Sequence, residues 1–190
     1  NVIDKTSSPM GGRMLKHWLA LPLKNVEKIK SRHEVVQYLL DNETTLLKIQ
    51  NHIKQVGDIE RLISKVATAK VNPREVIQLK NSLEAIVPIK ALASNCDNEA
   101  LKVIGDNIQS CDVLREKIKE TLNEDAPVNI LKGKTISSDF SSELKELREL
   151  AFSGKDYLDK MLERESERTG ISSLKIASNI VFGYYIEVRN

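Results

Sequence analysis

Residues 141–170 read SSELKELRELAFSGKDYLDKMLERESERTG, and this stretch decides the fold class. Leu144, Leu147, Leu150, Ala151, Tyr157, Leu158, Met161 and Leu162 recur at three- and four-residue steps, the spacing of one helical face. Ser141 stands where an N-cap hydroxyl is wanted, and Gly170 where a left-handed C-cap is wanted. At 1.5 Å per residue such a helix spans on the order of 43 Å. The stripe stops at Leu162. Glu163-Arg164-Glu165-Ser166-Glu167-Arg168 is all polar, so that end is expected in solvent or bridging to another unit. Beyond Gly170 the period changes. Residues 174–178 (LKIAS) and 184–188 (YYIEV) alternate as strands, with Asn179 and Gly183 bracketing the turn between them.

Upstream, the same helical period repeats in shorter runs. Ser8-Pro9 is a cap followed by a proline at the first helical position, and Met10, Met14, Leu15, Trp18 and Leu19 form the stripe behind it. Pro22 ends that helix. Asn25 opens the next, with Val26, Ile29, His33, Val36, Leu39 and Leu40 expected on one face. A third helix over about 44–55 turns Leu46, Leu47, Ile49 and Ile53 inward, and after the stop and start at Gly57-Asp58 a fourth run carries Ile59, Leu62, Ile63 and Val66. Asn72-Pro73 opens a long amphipathic helix carrying Val76, Ile77, Leu79, Leu83, Ile86, Val87, Ile89 and Leu92, with a kink expected at 85–87 because Pro88 lies inside it. Helices over about 98–108 and 112–123 follow. Ala126-Pro127 then breaks the pattern, and residues 128–137 read as a short β-hairpin. The expected fold is therefore mainly α: a multi-helix bundle, one long strut helix, a short hairpin near 128–137 and a C-terminal β-hairpin.

Composition agrees. The chain has 190 residues, 29 basic and 27 acidic side chains, and only 4% aromatic residues, with few glycines and prolines. An all-β sandwich needs more turns and more aromatic and β-branched residues. No run approaches the roughly 20 apolar residues of a membrane span, so no membrane partner is expected. The formal charge of +2 provides no strong overall field, so any basic surface must be local. Residues 1–54 carry nine basic and five acidic side chains, a mild surplus read as a solvated face. Cys96 and Cys111 are expected as free thiols in a reducing compartment, consistent with a cytoplasmic protein. The first residue is Asn rather than Met and no basic-plus-apolar leader precedes the helices, so the 190 residues are expected to be an excerpt of a longer chain.

The usual signatures of catalysis are not met. Gly133-Lys134-Thr135 resembles the end of a phosphate-cradling loop, but Val128 occupies the position of the first glycine, and strand and cap residues follow Thr135 where a helix is required. His17, His33 and His52 are 16 and 19 residues apart, and neither cysteine forms a Cys-x-x-Cys pair, so no metal set is expected. No catalytic, cofactor-binding or metal-ligating residue is assigned.

Four local patterns are more specific. Thr6-Ser7-Ser8-Pro9-Met10-Gly11-Gly12-Arg13-Met14-Leu15 resembles the Thr-x-x-Pro-Met-Gly-x-Arg-x-Leu signature of the MutS family of DNA mismatch-repair proteins. Asp58-Ile59-Glu60-Arg61 resembles that family's Asp-Leu-Glu-Arg motif, and Asn72-Pro73-Arg74-Glu75 its Pro-Arg-Asp step. Glu167-Arg168-Thr169-Gly170 through Leu174-Lys175-Ile176, followed by Gly183-Tyr184-Tyr185, is similar to the stretch that leads into the family's clamp. The motifs are collinear over essentially the whole chain. Ser8 before Pro9, where Thr is usual, and Glu75 in place of Asp are the departures.

The resemblance implies that residues 1–170 are the first portion of the core and lever domain and 171–190 the start of the clamp. It implies that the mismatch-reading domain lies upstream and the ATPase downstream, so this piece is no enzyme and holds no cofactor. The parent would use ATP and magnesium, dimerise, bind double-stranded DNA that contains a mismatch, and work with downstream repair proteins. Family clamps touch phosphates rather than base edges. Lys175, Arg189 and Asn190 are the candidates for such backbone contact. Two alternatives stay open: the same region of a MutS paralogue acting in recombination, and a helical interaction scaffold that never binds DNA. A Phe-x-Glu wedge upstream and a Walker motif downstream in the reading frame would select mismatch repair.

Overall fold

The computed structural model describes residues 2–181 and 183–188, and the chain divides into two compact units, Asn1–Ser137 and Ser138–Asn190. Seven helices build the first: α1 Pro9–Ala20, α2 Val26–Asp41, α3 Glu43–Ile53, α4 Ile59–Ala67, α5 Pro73–Ser94, α6 Glu99–Asn107 and α7 Asp112–Thr121. Their starts are chemically specified. Ser8, Asn25, Asp58, Asn72 and Asn98 each accept a hydrogen bond from a backbone N–H of the following first turn. At α5 the arrangement is a full capping box. Asn72 accepts from the Glu75 N–H (3.0 Å), and Glu75 accepts in return from the Asn72 N–H (3.1 Å).

The α5 helix is the axis of this unit. Leu79 and Leu83 pack with Leu62 of α4, Ile77 packs with Ile118 of α7 and Ala126, and Ala93 packs with Cys96 and Leu101 of α6. Different faces of one helix are thus buried at different heights, which explains why it presents no single stripe. Its buried set includes Lys80, Ser82 and Ala85, none of which the apolar pattern marks. The helix runs unbroken through Pro88, although that residue has no N–H to donate. The α5–α6 crossing is close. A Cβ on Gly105 would lie 2.6 Å from the Ser94 nitrogen, so only glycine fits there.

On three helices packing selects among the apolar residues, and the inward set expected on α3 is corrected. On α2, Val26, Val36, Leu40 and His33 are exposed, and the residues packed against the Ala93–Cys96–Leu101 cluster are Val35, Tyr38 and Leu39. Paired apolar residues at 35–36 and 39–40 create two equivalent stripes, and α5 with α6 selects one. On α3, Ile49 is buried while Leu47 is exposed. On α4, Leu62 is buried while Ile63 and Val66 are exposed.

The hairpin expected near 128–137 does not form. Asn129 accepts from the Leu131 N–H (2.9 Å) and starts a 3-10 turn over Ile130–Lys132. Gly133 (φ 70°) and Lys134 (φ 56°) then reverse the chain in the left-handed region. Ile136 pairs with Leu122 in an isolated antiparallel bridge, and the Asn123 and Ser137 N–H groups donate to the Thr135 and Thr121 carbonyls (both 2.9 Å). The strand-like residues therefore pair with the end of α7 rather than with each other. No helix starts directly after Thr135, α8 beginning only at Ser142, so the turn reading of Gly133-Lys134-Thr135 holds.

The second unit is α8, Ser142–Thr169, followed by β1, Leu174–Asn179, and β2, Gly183–Val188. Ser141 caps the helix by accepting from the Leu144 N–H (3.3 Å), and Gly170 (φ 69°) ends it by donating to the Ser166 carbonyl (2.9 Å). None of the 28 residues of α8 is buried. The strands pair antiparallel in a register running from Leu174 opposite Val188 to Asn179 opposite Gly183, where a φ of 70° makes glycine fitting. Among the described residues no helix is long and apolar enough to cross a membrane.

Candidate functional site

Two of the sequence motifs, 45 residues apart, meet in space. Pro9 is the first residue of α1, Met10 is half-buried, and the Gly11 N–H donates to the Ser8 hydroxyl (3.1 Å). This cap fixes the first turn, and Arg13 projects from the second. Its Nη1 and Nη2 donate to Asp58 Oδ2 (2.9 Å) and Oδ1 (2.7 Å) as a two-pronged fork. Its Nε and Nη2 also donate to Glu60 Oε2 (2.8 and 2.6 Å). Asp58 serves α4 at the same time, accepting from the Arg61 N–H (3.2 Å) as its cap. The Arg13 guanidinium, and secondarily the Arg61 N–H, hold the Asp58 carboxyl below the usual carboxylate range. Asp58 and Glu60 in turn push the Arg13 pKa upward.

Beside this junction, Asp58, Arg61, Leu62, Lys65, Glu75 and Gln78 line a groove between α4 and α5. Lys65 pairs with Glu75, which lowers the Glu75 pKa, with the Asn72 N–H adding to the effect. The charged residues of the Asp58–Arg61 motif thus act on the protein itself. The Asp58 and Glu60 carboxylates are satisfied by Arg13 and hold two helix starts together, which is a structural task.

The other motif residues lie in the second unit. Arg168 donates from Nε to Glu165 (2.8 Å) one turn back, which lowers the Glu165 pKa. Tyr184 and Tyr185 are exposed on β2, opposite Ser178 and Ala177. Lys175 is exposed on β1, and Glu187 stands directly opposite it on β2. A carboxylate directly across the strand pair reduces the local positive potential that a phosphate would feel. Arg189 and Asn190 lie outside the described residues. Among the described residues no group of His, Cys, Asp and Glu has the arrangement of a metal site. Cys96 is buried and Cys111 exposed, both as free thiols.

The apolar and motif patterns did not single out Lys80, Ser82 or Gly105. Lys80 is 3% exposed, and its ammonium pairs with Glu124 and, at 3.8 Å, with Glu84. Ser82 donates to the Gln78 carbonyl (2.8 Å) and accepts from the Gly57 N–H (3.0 Å), tying the α3–α4 turn to α5. Glu84, one turn from Lys80, was the available signal for the first. Nothing local marks the other two, whose partners are 25 and 11 residues away.

The family model described as MutS domain III matches residues 1–180. The chain belongs to the MutS domain III family. DNA mismatch repair protein MutS of Christiangramia forsetii is 67% identical over all 190 residues, that of Flavobacterium psychrophilum 63%, and that of Bacteroides fragilis 50%. The chain spans 22% of the length of each of these relatives. Within MutS domain III, the resemblance carried by Pro9–Arg13, Asp58–Arg61 and Arg168–Tyr185 is thus accounted for, and the first two stretches are the partners of a single ionic junction.

Proposed function

We propose that this chain is the lever, with the first strands of the clamp, of a DNA mismatch-recognition ATPase acting in mismatch repair. The observation that carries the reading is the whole-chain similarity to proteins named DNA mismatch repair protein MutS. The names of these relatives favour mismatch repair over a recombination paralogue or a DNA-free scaffold. In this reading residues 1–170 are core and lever and 171–190 the start of the clamp. A helix is suited to transmit displacement because its backbone hydrogen bonds are internal, and α8 is followed directly by a two-stranded element that can lie along a phosphate backbone.

The 190 residues themselves neither bind nor hydrolyse ATP. The support is Val128 in place of the first glycine and the turn at Gly133–Lys134. ATP and magnesium belong to the parent protein, as do its dimer partner, the downstream repair proteins and a cytoplasmic location. Contact with duplex DNA through Lys175, Arg189 and Asn190 goes to phosphates and carries no sequence information.

The test compares homoduplex with single-mismatch duplex at two salt concentrations. The expected result is weak binding, equal for the two duplexes, that falls steeply with salt because phosphate neutralisation releases counterions. A clear mismatch preference, or affinity indifferent to salt, overturns the assignment. An ATP-dependent rise in melting temperature overturns the statement that the chain lacks a nucleotide site.

A further inference from the structure

The α1 helix is held unlike any other helix of its unit. No residue of α1 is buried, and none belongs to the three apolar clusters around α5. Met14, Leu19 and Leu21 stand more than half exposed. Among the described residues, every hydrogen bond and ion pair from α1 to another element runs through Arg13. A further link is the Arg32 guanidinium of α2, 3.5 Å from the centre of the Trp18 ring. Both are charge-dependent contacts at the surface: the Arg13 side chain is 48% exposed and that of Glu60 65%.

We propose that Arg13 is an electrostatic latch, and that α1 leaves and rejoins the bundle as a unit while α2 to α7 stay folded. The inference stands independently of the proposed function. A latch needs an open state that costs its acceptors little, and the geometry supplies one. Asp58 keeps the Arg61 N–H and continues to cap α4 when Arg13 departs. Glu60 lies in the first turn of α4, where the helix dipole favours a negative charge. The Ser8 cap and the Pro9 start are internal to α1 and travel with it. No apolar cluster is opened by the departure. The closed state is nevertheless specific, because a guanidinium gripping one carboxylate with two prongs and a second with Nε fixes both the register and the angle of α1. Exposed ion pairs are screened once the Debye length falls to their own scale, so salt is the natural release.

Amide hydrogen exchange on the 190-residue chain reads this directly, comparing α1 with the buried part of α5. Going from about 10 mM to 1 M sodium chloride, where the Debye length falls from roughly 30 to 3 Å, α1 exchange is expected to rise by about tenfold while α5 is unchanged. Arg13→Gln is expected to bring α1 close to the high-salt rate already at low salt and to remove most of its salt dependence, the Arg32–Trp18 contact keeping the remainder. Asp58→Asn preserves the α4 cap, since Asn caps as well as Asp, and is expected to raise α1 exchange with α4 and α5 still protected. The pair Arg13→Glu with Glu60→Arg is expected to recover part of the α1 protection that Arg13→Glu alone loses. Joint loss of protection in α1 and α5, in either single variant or in salt, overturns the latch, because α1 is then part of one cooperative core. Exchange in α1 that ignores both salt and Arg13→Gln overturns it equally.

Discussion

At the scale of single residues, position and partner matter more than residue type. Asp58 and Glu75 are carboxylates whose pKa values are lowered, the first by Arg13 and the second by Lys65. A lowered folded-state pKa contributes stability that is present above the unfolded value and is lost as pH falls through the folded one. The charged groups facing Asp58 are Arg13, Arg61 and Glu60. Acidification below about pH 4 is therefore expected to loosen the α1–α4 junction before the apolar clusters respond, and an acid titration followed by residue-resolved exchange checks it. Gly105 is a second case. Its Cβ would meet the Ser94 nitrogen and the Ala93 carbonyl carbon, backbone atoms that cannot rotate away, as well as the Ser94 hydroxyl. Gly105→Ala is expected to cost about 1–3 kcal/mol by forcing α6 from α5, read by urea denaturation, although alanine is the better helix former.

Elements differ in what holds them. The α5 helix has the capping box and buried residues along its length, and Asn72→Ala is expected to cost on the order of 1 kcal/mol in denaturant unfolding. The α8 helix has a cap at each end and no buried residue, so its intrinsic propensity counts for more. Gly154 lies in its middle with nothing within 4 Å of a Cβ. Gly154→Ala is expected to stabilise α8 by about 0.5–1 kcal/mol, seen as higher helicity on warming, the opposite sign to the same change at Gly105. The β1–β2 pair has two strands and open edges on both, an arrangement marginal in water without further packing. Fast exchange over 174–188 in dilute solution, slowing as concentration rises, is the expected behaviour. Strong protection in a dilute monomer would show that the pair is held within the chain.

The whole chain folds as two compact units, and its thermodynamics should show it. Among the described residues, the clusters of buried apolar residues lie in the first unit. Heating is expected to give more than one transition in calorimetry, with a measured enthalpy exceeding the van't Hoff value. A single two-state transition would show that the units unfold as one.

Sequence by itself determined the helices and their limits, because caps, prolines and 3.6-residue periodicity are local signals. Ser8-Pro9, Asn25, Asn72-Pro73, Ser141 and Gly170 all sit where the structure begins or ends a helix. Family motifs identified the chain for a related reason, since they were read as fixed spacings along it. What the sequence left open was which side of each helix turns inward. Val35 and Leu39 rather than Val36 and Leu40 face inward on α2 because of where α5 and α6 lie, and that is a property of packing. The same holds for residues 128–137, where strand propensity was present but the partner for Ile136 was Leu122. Tertiary structure alone also decided the junction of Arg13 with Asp58 and Glu60, the burial of Lys80 and the need for Gly105. Each depends on groups that other parts of the chain bring close, and nothing within one helix encodes its neighbour's distance. A backbone hydrogen bond spans four residues, whereas a buried contact spans whatever separation the packing of whole elements brings together.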